Sequence, residues 1–302
     1  MRIFTDIKTG LFSLCGLLVF FCLTGCSSSP DSVDPTPTIT SDGKQYRGAV
    51  VLSTDLAVGR ERLLFAVIDS DGRPTGKAGE VLETDLQLID TSHIQKTQAV
   101  FREWPTGSAG VYSLNVEFDQ PGQWSLNIWV PDSDSSQKQI STKIQVAQEG
   151  LSPAVGAPAL ATQNRTIHDV MTIAEISTDN DPDPDFYQLT IADAIISQKP
   201  SVILFGTPGY CQSQVCGPQI STLKKIKNKF PDQINYVHIE LIDNPLDLKG
   251  DLARAIMNPV LNEWGLQSEP WTFVIDADGM IVSKYEGFVG EEEILETLSK
   301  LL

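Results

Sequence analysis

Two cysteines in the C-terminal half of the chain are the residues best suited to carry chemistry. The 302-residue sequence holds five cysteines, and three of them, Cys15, Cys22 and Cys26, lie in or beside one N-terminal apolar segment. Thiol chemistry of a folded domain must therefore use Cys211 and Cys216, which four residues separate. Thiol–disulfide exchange, metal binding and a structural disulfide are the chemistries open to such a pair.

The spacing of these cysteines restricts how they can pair. On a regular helix, residues five apart have Cα atoms roughly 8.7 Å from each other, which is too far for a disulfide. A bond therefore requires Cys211 to lie on a loop that curls back, with the regular helix beginning later. Pro208 and Gly209, just before the pair, are compatible with such a loop.

The segments around the pair predict an α/β domain. Periodicity and apolar runs indicate, in chain order, a helix over 187–198, a strand over 201–206, a helix over 216–230, a strand over 234–242, a helix over 251–265, a hairpin over 271–287 and a helix over 291–302. The first of these strands is apolar throughout, which indicates burial on both faces. We expect a three-layer α/β domain over residues 151–302, after a Pro/Gly/Ala-rich boundary.

Three local features of this domain resemble the thioredoxin superfamily. FGTPGYC at 205–211 stands where the family has a strand, a short loop and an aromatic residue before its first cysteine. SEPWT at 268–272 stands where the family has a cis-proline loop that faces the cysteines, and DADG at 276–279 matches the hairpin turn after it. The chain is most similar to a group of exported thioredoxin-domain proteins with a TPxxCxxxxCGP signature.

The resemblance implies thiol–disulfide exchange on exported client proteins, without a cofactor or a metal. Cys211, near a helix N-terminus that lowers its pKa, would attack a client disulfide, and Cys216 would resolve the mixed disulfide. A cis peptide bond before Pro270 would keep the client strand in register with the sulfurs. The predicted client-binding residues are Tyr210, Glu269, Pro270 and Trp271, with packing in the core as the alternative for Trp271.

Other functions remain open for the cysteine pair. A lone pair in an exported domain is often a permanent structural disulfide, in which case the domain is a non-catalytic binding module. Copper delivery of the Sco type needs a histidine ligand, and the candidates are His168 and His238, the latter interpreted as packed in a strand. A peroxidase needs a hydroxyl residue three positions before its cysteine, where Ser213 stands, but the nearby proline is one residue out of register.

The segment before the α/β domain predicts short β-strands. Runs of β-branched and aromatic residues occur at 48–53, 62–69, 81–89, 97–104, 111–118, 123–130 and 138–146. Their number and spacing predict an immunoglobulin-like β-sandwich over 46–148, and its last hairpins resemble those of small immunoglobulin-like domains on exported bacterial proteins. With His93 as its one histidine and no cysteine, this domain is not expected to bind copper, and we interpret it as a spacer or docking module.

The N-terminus has the pattern of an export signal with a lipid anchor. Residues 1–25 begin with basic residues and continue in an uncharged run over 11–23, which is too short to span a bilayer and suits a secretory signal. LTGC at 23–26 resembles the lipobox of bacterial lipoproteins, which implies cleavage before Cys26 and acylation of that cysteine. Residues 26–45 are rich in Ser, Pro, Asp and Thr and predict a flexible tether.

These features predict a protein of the cell envelope that is anchored in a lipid bilayer and faces the periplasm or the exterior. Such a compartment is oxidising and permits disulfides. The formal net charge of -17 disfavours nucleic acid as a partner. The expected partners are exported protein thiols or disulfides and the bilayer itself, and the sequence leaves open a redox partner in the membrane.

Overall fold

The computed structural model describes residues 46–105, 110–131, 136–211 and 215–302. The predicted signal peptide, the predicted tether and Cys26 lie outside the described residues, as does Ser213. No helix in the described part of the chain is both long enough and apolar enough to cross a membrane.

The chain forms a β-rich part followed by an α/β part. The strands are β1 Tyr46–Val51, β2 Gly59–Asp69, β3 Pro74–Thr75, β4 Val81–Leu88, β5 Ile94–Glu103, β6 Gly110–Phe118, β7 Gly122–Pro131, β8 Gln137–Val146, β9 Ser201–Phe205, β10 Asn235–Ile239, β11 Trp271–Ile275 and β12 Ile281–Glu286. The α-helices are α1 Ile191–Ile196, α2 Cys216–Lys229, α3 Val260–Glu263 and α4 Glu291–Leu298. Short 3-10 helices lie at Ile173–Glu175, Pro184–Tyr187, Pro245–Asp247 and Leu252–Arg254.

Strands β1 to β8 form one antiparallel sheet around a single core. They are hydrogen-bonded in the order β1-β2-β6-β5-β4-β7-β8, with β3 paired to β2. Trp124, Leu126 and Ile128 of β7 are buried while the residues between them are more exposed, as the alternation predicts. A parallel bridge joins Ala57 to Ala147, so that the two ends of the sheet lie side by side. This barrel-like β domain is broadly consistent with the predicted sandwich, and its immunoglobulin-like class stays a prediction.

Strands β9 to β12 form a second sheet, in the order β10-β9-β11-β12. Strand β10 runs parallel to β9, whereas β11 is antiparallel to both β9 and β12. All of β9 is buried, as its continuous apolar run predicts. Val202 and Leu204 pack in the core that includes α2 and α4, whereas Ile203 and Phe205 pack in the core that includes α1 and α3. The predicted three-layer α/β arrangement is confirmed.

The predicted helix over 251–265 is wrong in extent. The structure has a 3-10 turn at Leu252–Arg254 and a single α-helical turn, α3, that begins after Pro259. Proline lacks a backbone N–H and disfavours the helical conformation in the residue before it, so one helix cannot continue through this point. The predicted helix over 187–198 is likewise shorter, because α1 begins only after Thr190, whose hydroxyl accepts a hydrogen bond from the Asp193 amide.

The two parts contact each other through buried charged groups. The Lys284 ammonium on β12 lies 3.0 Å from the Glu61 carboxylate on β2, and the two side chains are 3% and 6% exposed. Arg62, beside Glu61, lies 2.9 Å from Glu293 on α4. The β part is therefore packed against the α/β part.

Candidate redox site

The cysteine pair lies where the loop after β9 meets the first residue of α2. Cys211 and Cys216 form a disulfide, with their Cα atoms 6.0 Å apart. Helix α2 begins at Cys216, and Cys211 lies in the loop before it. The predicted late start of the helix, after Cys211, is confirmed.

The two sulfurs differ in accessibility. Cys216 is only 1% exposed, whereas Cys211 is half-buried. Tyr210, directly before Cys211, is also half-buried and remains available for contact with another molecule. Cys211 is therefore the more exposed cysteine of the pair.

Close backbone contacts hold the cysteine loop in place. The Gly209 amide donates a 3.0 Å hydrogen bond to the Thr178 hydroxyl, which itself donates a 2.6 Å hydrogen bond to the Glu240 carboxylate. A Cβ atom on Gly209 would lie 2.5 Å from the Thr178 carbonyl oxygen, so only glycine fits there. Gly206 lies beside the pair, because a Cβ on it would be in van der Waals contact with the Cys216 Cβ, at 3.5 Å.

The loop before β11 faces the cysteines, as the resemblance implies. The Glu269–Pro270 peptide bond is cis. A Cβ atom on Gly206 would lie 3.4 Å from Pro270 Cβ, so the proline ring lies beside the start of the cysteine loop. The Pro270 carbonyl accepts a 2.8 Å hydrogen bond from the Gly287 amide, which ties this loop to the end of β12.

The Glu269 carboxylate lies close to both sulfurs of the cysteine pair. One of its carboxylate oxygens and the sulfurs of Cys211 and Cys216 all lie within 4.8 Å of one another. Burial raises the pKa of Glu269, while hydrogen bonds from the Thr207 side chain and backbone lower it in part. The carboxyl group is therefore placed to exchange a proton with a thiol of the reduced pair.

Trp271 does not line an accessible groove, which corrects the prediction for this residue. Its side chain is 2% exposed and packs beside Phe273, with ring centroids 5.9 Å apart. Its indole N–H donates a 3.1 Å hydrogen bond to the Ser268 hydroxyl. Trp271 follows Pro270 directly into the central strand β11, where both faces of the sheet are covered.

His238 is a packed histidine, as predicted. It is 2% exposed, and its ring nitrogens lie 2.8 Å from the Tyr187 hydroxyl and 3.1 Å from the Gly206 carbonyl oxygen. Burial lowers the pKa of His238 to about 4, so the ring is neutral near pH 7. Both nitrogens are engaged away from the sulfurs.

Copper delivery of the Sco type requires a histidine beside the cysteines. The structure places none of the candidate histidines there. Within the described ranges, the one group of three or more metal-ligating side chains is Cys211, Cys216 and Glu269. His168, the other candidate, is exposed and is not part of that group.

Sequence analysis overlooked a buried acid beneath the site. Glu240, just after β10, is 4% exposed and accepts hydrogen bonds from the amide and hydroxyl of Thr178 at 2.7 and 2.6 Å. Burial raises the pKa of Glu240, and hydrogen bonds from Thr178 and Thr207 offset part of that rise. A charged residue directly after an apolar strand was the signal that could have revealed it.

Neither a family model nor a curated protein sequence matches this chain. Solved structures similar to part of it are thioredoxin-like. The solution structure of a thioredoxin-like protein in the oxidised form is 20% identical, covers 38% of this chain and 87% of its own, and has a TM-score of 0.30. A thio-disulfide isomerase from Thermus thermophilus is 22% identical over 38% of this chain and 86% of its own, with a TM-score of 0.28. The pneumococcal exposed lipoprotein thioredoxin from Streptococcus pneumoniae is 20% identical over 37% of this chain and 91% of its own, with a TM-score of 0.27.

Proposed function

We propose that the protein carries out thiol–disulfide exchange on exported client proteins through Cys211 and Cys216. The observation that carries this proposal is the asymmetry of the pair: a half-buried cysteine in a loop is bonded to a buried cysteine at a helix start. The N-terminus of α2, a helix of 14 residues, stabilises thiolates beside it. Glu269, which is half-buried, is the residue of the cis-proline loop that an approaching client segment would meet, whereas Pro270 is buried behind it.

The exchange proceeds in two balanced steps. In the reduced protein, the Cys211 thiolate attacks one sulfur of a client disulfide, and the other client sulfur leaves as a thiolate. The Cys216 thiol then loses its proton and attacks the Cys211 sulfur. The mixed disulfide breaks, the Cys211–Cys216 bond forms, and the second client sulfur leaves as a thiolate. The client gains two electrons that the cysteine pair loses, and the reverse sequence oxidises a client dithiol.

Glu269 is the group that takes the proton of Cys216 in this scheme. Cys216 is shielded from solvent, so its proton needs an acceptor within the protein. The Glu269 carboxylate lies within 4.8 Å of its sulfur and has a raised pKa, which makes it a stronger base than an exposed glutamate. The proton then passes from Glu269 to the departing client thiolate.

The second candidate function is a binding module with a structural disulfide. The near-complete burial of Cys216 favours it, because buried disulfides resist reduction. In that case Tyr210 and the loop of Pro270 would bind a partner without covalent exchange.

We further propose that the protein acts at a membrane surface of the cell envelope. Cleavage before Cys26 and acylation of that cysteine would anchor the chain, and residues 26–45 would tether the folded part near the bilayer. An exported, oxidising location supplies client disulfides and thiols. The immunoglobulin-like class of the β part belongs to this same proposal.

A redox titration of the full-length protein in detergent tests the exchange function. The protein is equilibrated in graded glutathione buffers and alkylated, and the peptides that carry Cys211 and Cys216 are weighed. A midpoint between about -120 and -270 mV supports exchange, whereas a midpoint below about -300 mV identifies a structural bridge. Cys211→Ser should abolish the reduction of disulfides by the reduced protein, and unchanged activity in this variant refutes the assignment.

A further inference from the structure

The buried carboxylate of Glu286, at the end of β12, connects the β part to the loop that faces the cysteines. Glu286 is 8% exposed. It accepts hydrogen bonds from the amide and hydroxyl of Thr54, at 2.8 and 2.6 Å, and from the Ser268 hydroxyl, at 2.6 Å. Thr54 lies between β1 and β2, and Ser268 lies two residues before Pro270. One carboxylate thus bridges the two parts of the molecule.

The loop of Glu269 and Pro270 is held on one side by the Glu286 carboxylate and on the other by the Gly287 amide. Ser268, bound to Glu286, also accepts the hydrogen bond from the Trp271 indole at 3.1 Å. The next residue along β12, Gly287, donates its amide to the Pro270 carbonyl at 2.8 Å. The position of Glu286 therefore contributes to where Glu269 and Pro270 lie relative to the sulfurs.

Ion pairs fix the β part at this contact. Arg62 donates to both carboxylate oxygens of Glu293, at 2.9 and 3.0 Å, and to the backbone carbonyl of Glu286 at 3.3 Å. Lys284 and Glu61 form the buried pair described above. Sliding of one part against the other would leave these charges buried without partners, which is strongly unfavourable. Thr54 is thereby held at a defined place against Glu286.

We infer that the β part positions the redox loop, with Thr54 and Glu286 as positioning residues. This inference rests on the proposed function, since it concerns the loop that faces the reacting sulfurs. The rate of exchange at Cys211 then depends on the Thr54 hydroxyl. This hydroxyl belongs to the β part and lies in neither of the two loops at the site. The β part is a working component of the redox unit and not only a connection to the membrane.

The test compares Thr54→Val, Ser268→Ala and the double variant in the full-length protein. Thr54 is exposed, so valine removes its hydroxyl without opening a cavity. Each single variant should slow exchange of the reduced protein with oxidised glutathione by on the order of 3- to 10-fold, the net value of one typical hydrogen bond. The double variant should be no slower than the slower single variant, because both hydroxyls act through Glu286. Thr54→Ser, which keeps the hydroxyl, should restore the rate.

Ser53→Ala is the matched control. The Ser53 hydroxyl lies in the same connection but bonds only within the β part, to the Arg62 carbonyl and the Leu64 amide, at 3.3 and 2.9 Å. This variant should exchange at the rate of the unsubstituted protein. Equal rates in Thr54→Val and the unsubstituted protein, or rate losses that multiply in the double variant, would overturn the inference.

Hydrogen exchange of the segment 268–271, followed by mass spectrometry, separates this inference from the proposed function. Thr54→Val should speed amide exchange in that segment whether or not the protein reacts with glutathione. If the unsubstituted protein does not exchange with glutathione, the proposed function is refuted. Unchanged hydrogen exchange in Thr54→Val refutes the positioning role of the β part.

Discussion

At the scale of single residues, the site depends on how unequal its two sulfurs are. Cys211 is half-buried in a loop, whereas Cys216 is shielded between the helix start and the loop of Pro270. An attacking thiol must be reachable, and a resolving thiol is protected from unwanted partners by burial. In the proposed exchange Glu269 accepts the Cys216 proton, since its carboxylate lies within 4.8 Å of that sulfur.

We expect Glu269→Gln to lower the exchange rate about tenfold near neutral pH, since an amide cannot accept the Cys216 proton. Burial raises the pKa of Glu269, and only its ionised form accepts a proton, so the rate should rise as pH increases through that pKa. The variant should lack this inflection. Stopped-flow measurement of the rate against pH, with the disulfide-forming equilibrium followed in parallel, checks the prediction.

Glu263→Gln is the control for this substitution. Glu263 also accepts a threonine hydrogen bond, from Thr162 at 2.6 Å, but it lies on α3 and is not among the groups beside the sulfurs. Its replacement should leave the pH profile unchanged. Identical profiles for Glu269→Gln and the unsubstituted protein would show that the proton leaves by another route.

At the scale of elements, the site depends on a loop that is fixed in place before α2 begins. Gly209, before the cysteines, is hydrogen-bonded to Thr178, which Glu240 holds in turn. The acidic segment after Thr178 is itself attached to α2, since Lys227 lies 2.6 Å from Asp183. The segment from Thr178 to Asp183 therefore contacts both the loop before Cys211 and helix α2. Cys211 and Cys216 are bonded although they lie five positions apart.

Gly209→Ala should lower the free energy of unfolding by about 1–3 kcal/mol, because the added methyl group would lie 2.5 Å from the Thr178 carbonyl oxygen and must displace the loop. Gly217→Ala is the matched control: its Cβ would meet no atom closer than 3.9 Å, and alanine favours the helix. Urea unfolding with the disulfide intact measures both. Equal losses of stability in the two variants would contradict the predicted clash.

At the scale of the whole molecule, buried charges join two parts that the sequence presents as separate domains. Lys284 lies against Glu61 and 3.3 Å from the Ser152 hydroxyl, in the segment that connects the two parts. Buried ion pairs contribute little net stability, but the loss of one partner is costly. Such pairs therefore favour the one arrangement of the two parts in which every buried charge keeps its partner.

Lys284→Met should destabilise the protein by about 3–5 kcal/mol, since Glu61 is left buried without its partner. The double variant Glu61→Leu with Lys284→Met should recover most of this loss. Calorimetric unfolding measures each step. Lys300→Met is the control, because the pair of Lys300 with Glu296 is exposed and should contribute less than about 0.5 kcal/mol. If Lys284→Met lowers the free energy of unfolding no more than Lys300→Met does, a structural role for the buried pair is refuted.

The sequence by itself determined the features that depend on local pattern. The apolar run at 201–206 identified a doubly covered strand, the alternation in 123–130 identified a strand with one buried face, and the spacing of Cys211 and Cys216 required a late helix start. These features follow from periodicity and bond geometry, which are properties of neighbouring residues. Pro259 shows the limit of such reasoning, because a periodic pattern around it suggested a longer helix than its backbone permits.

Only the tertiary structure decided which distant groups meet. Glu269 lies 58 and 53 positions from the two cysteines, yet its carboxylate reaches their sulfurs. Trp271, two positions further on, is buried. The bridge from Thr54 to Glu286 spans 232 positions. Such contacts are set by the order of strands in a sheet and by the packing of one part on the other, and no local pattern encodes them because each partner is polar and unremarkable within its own segment.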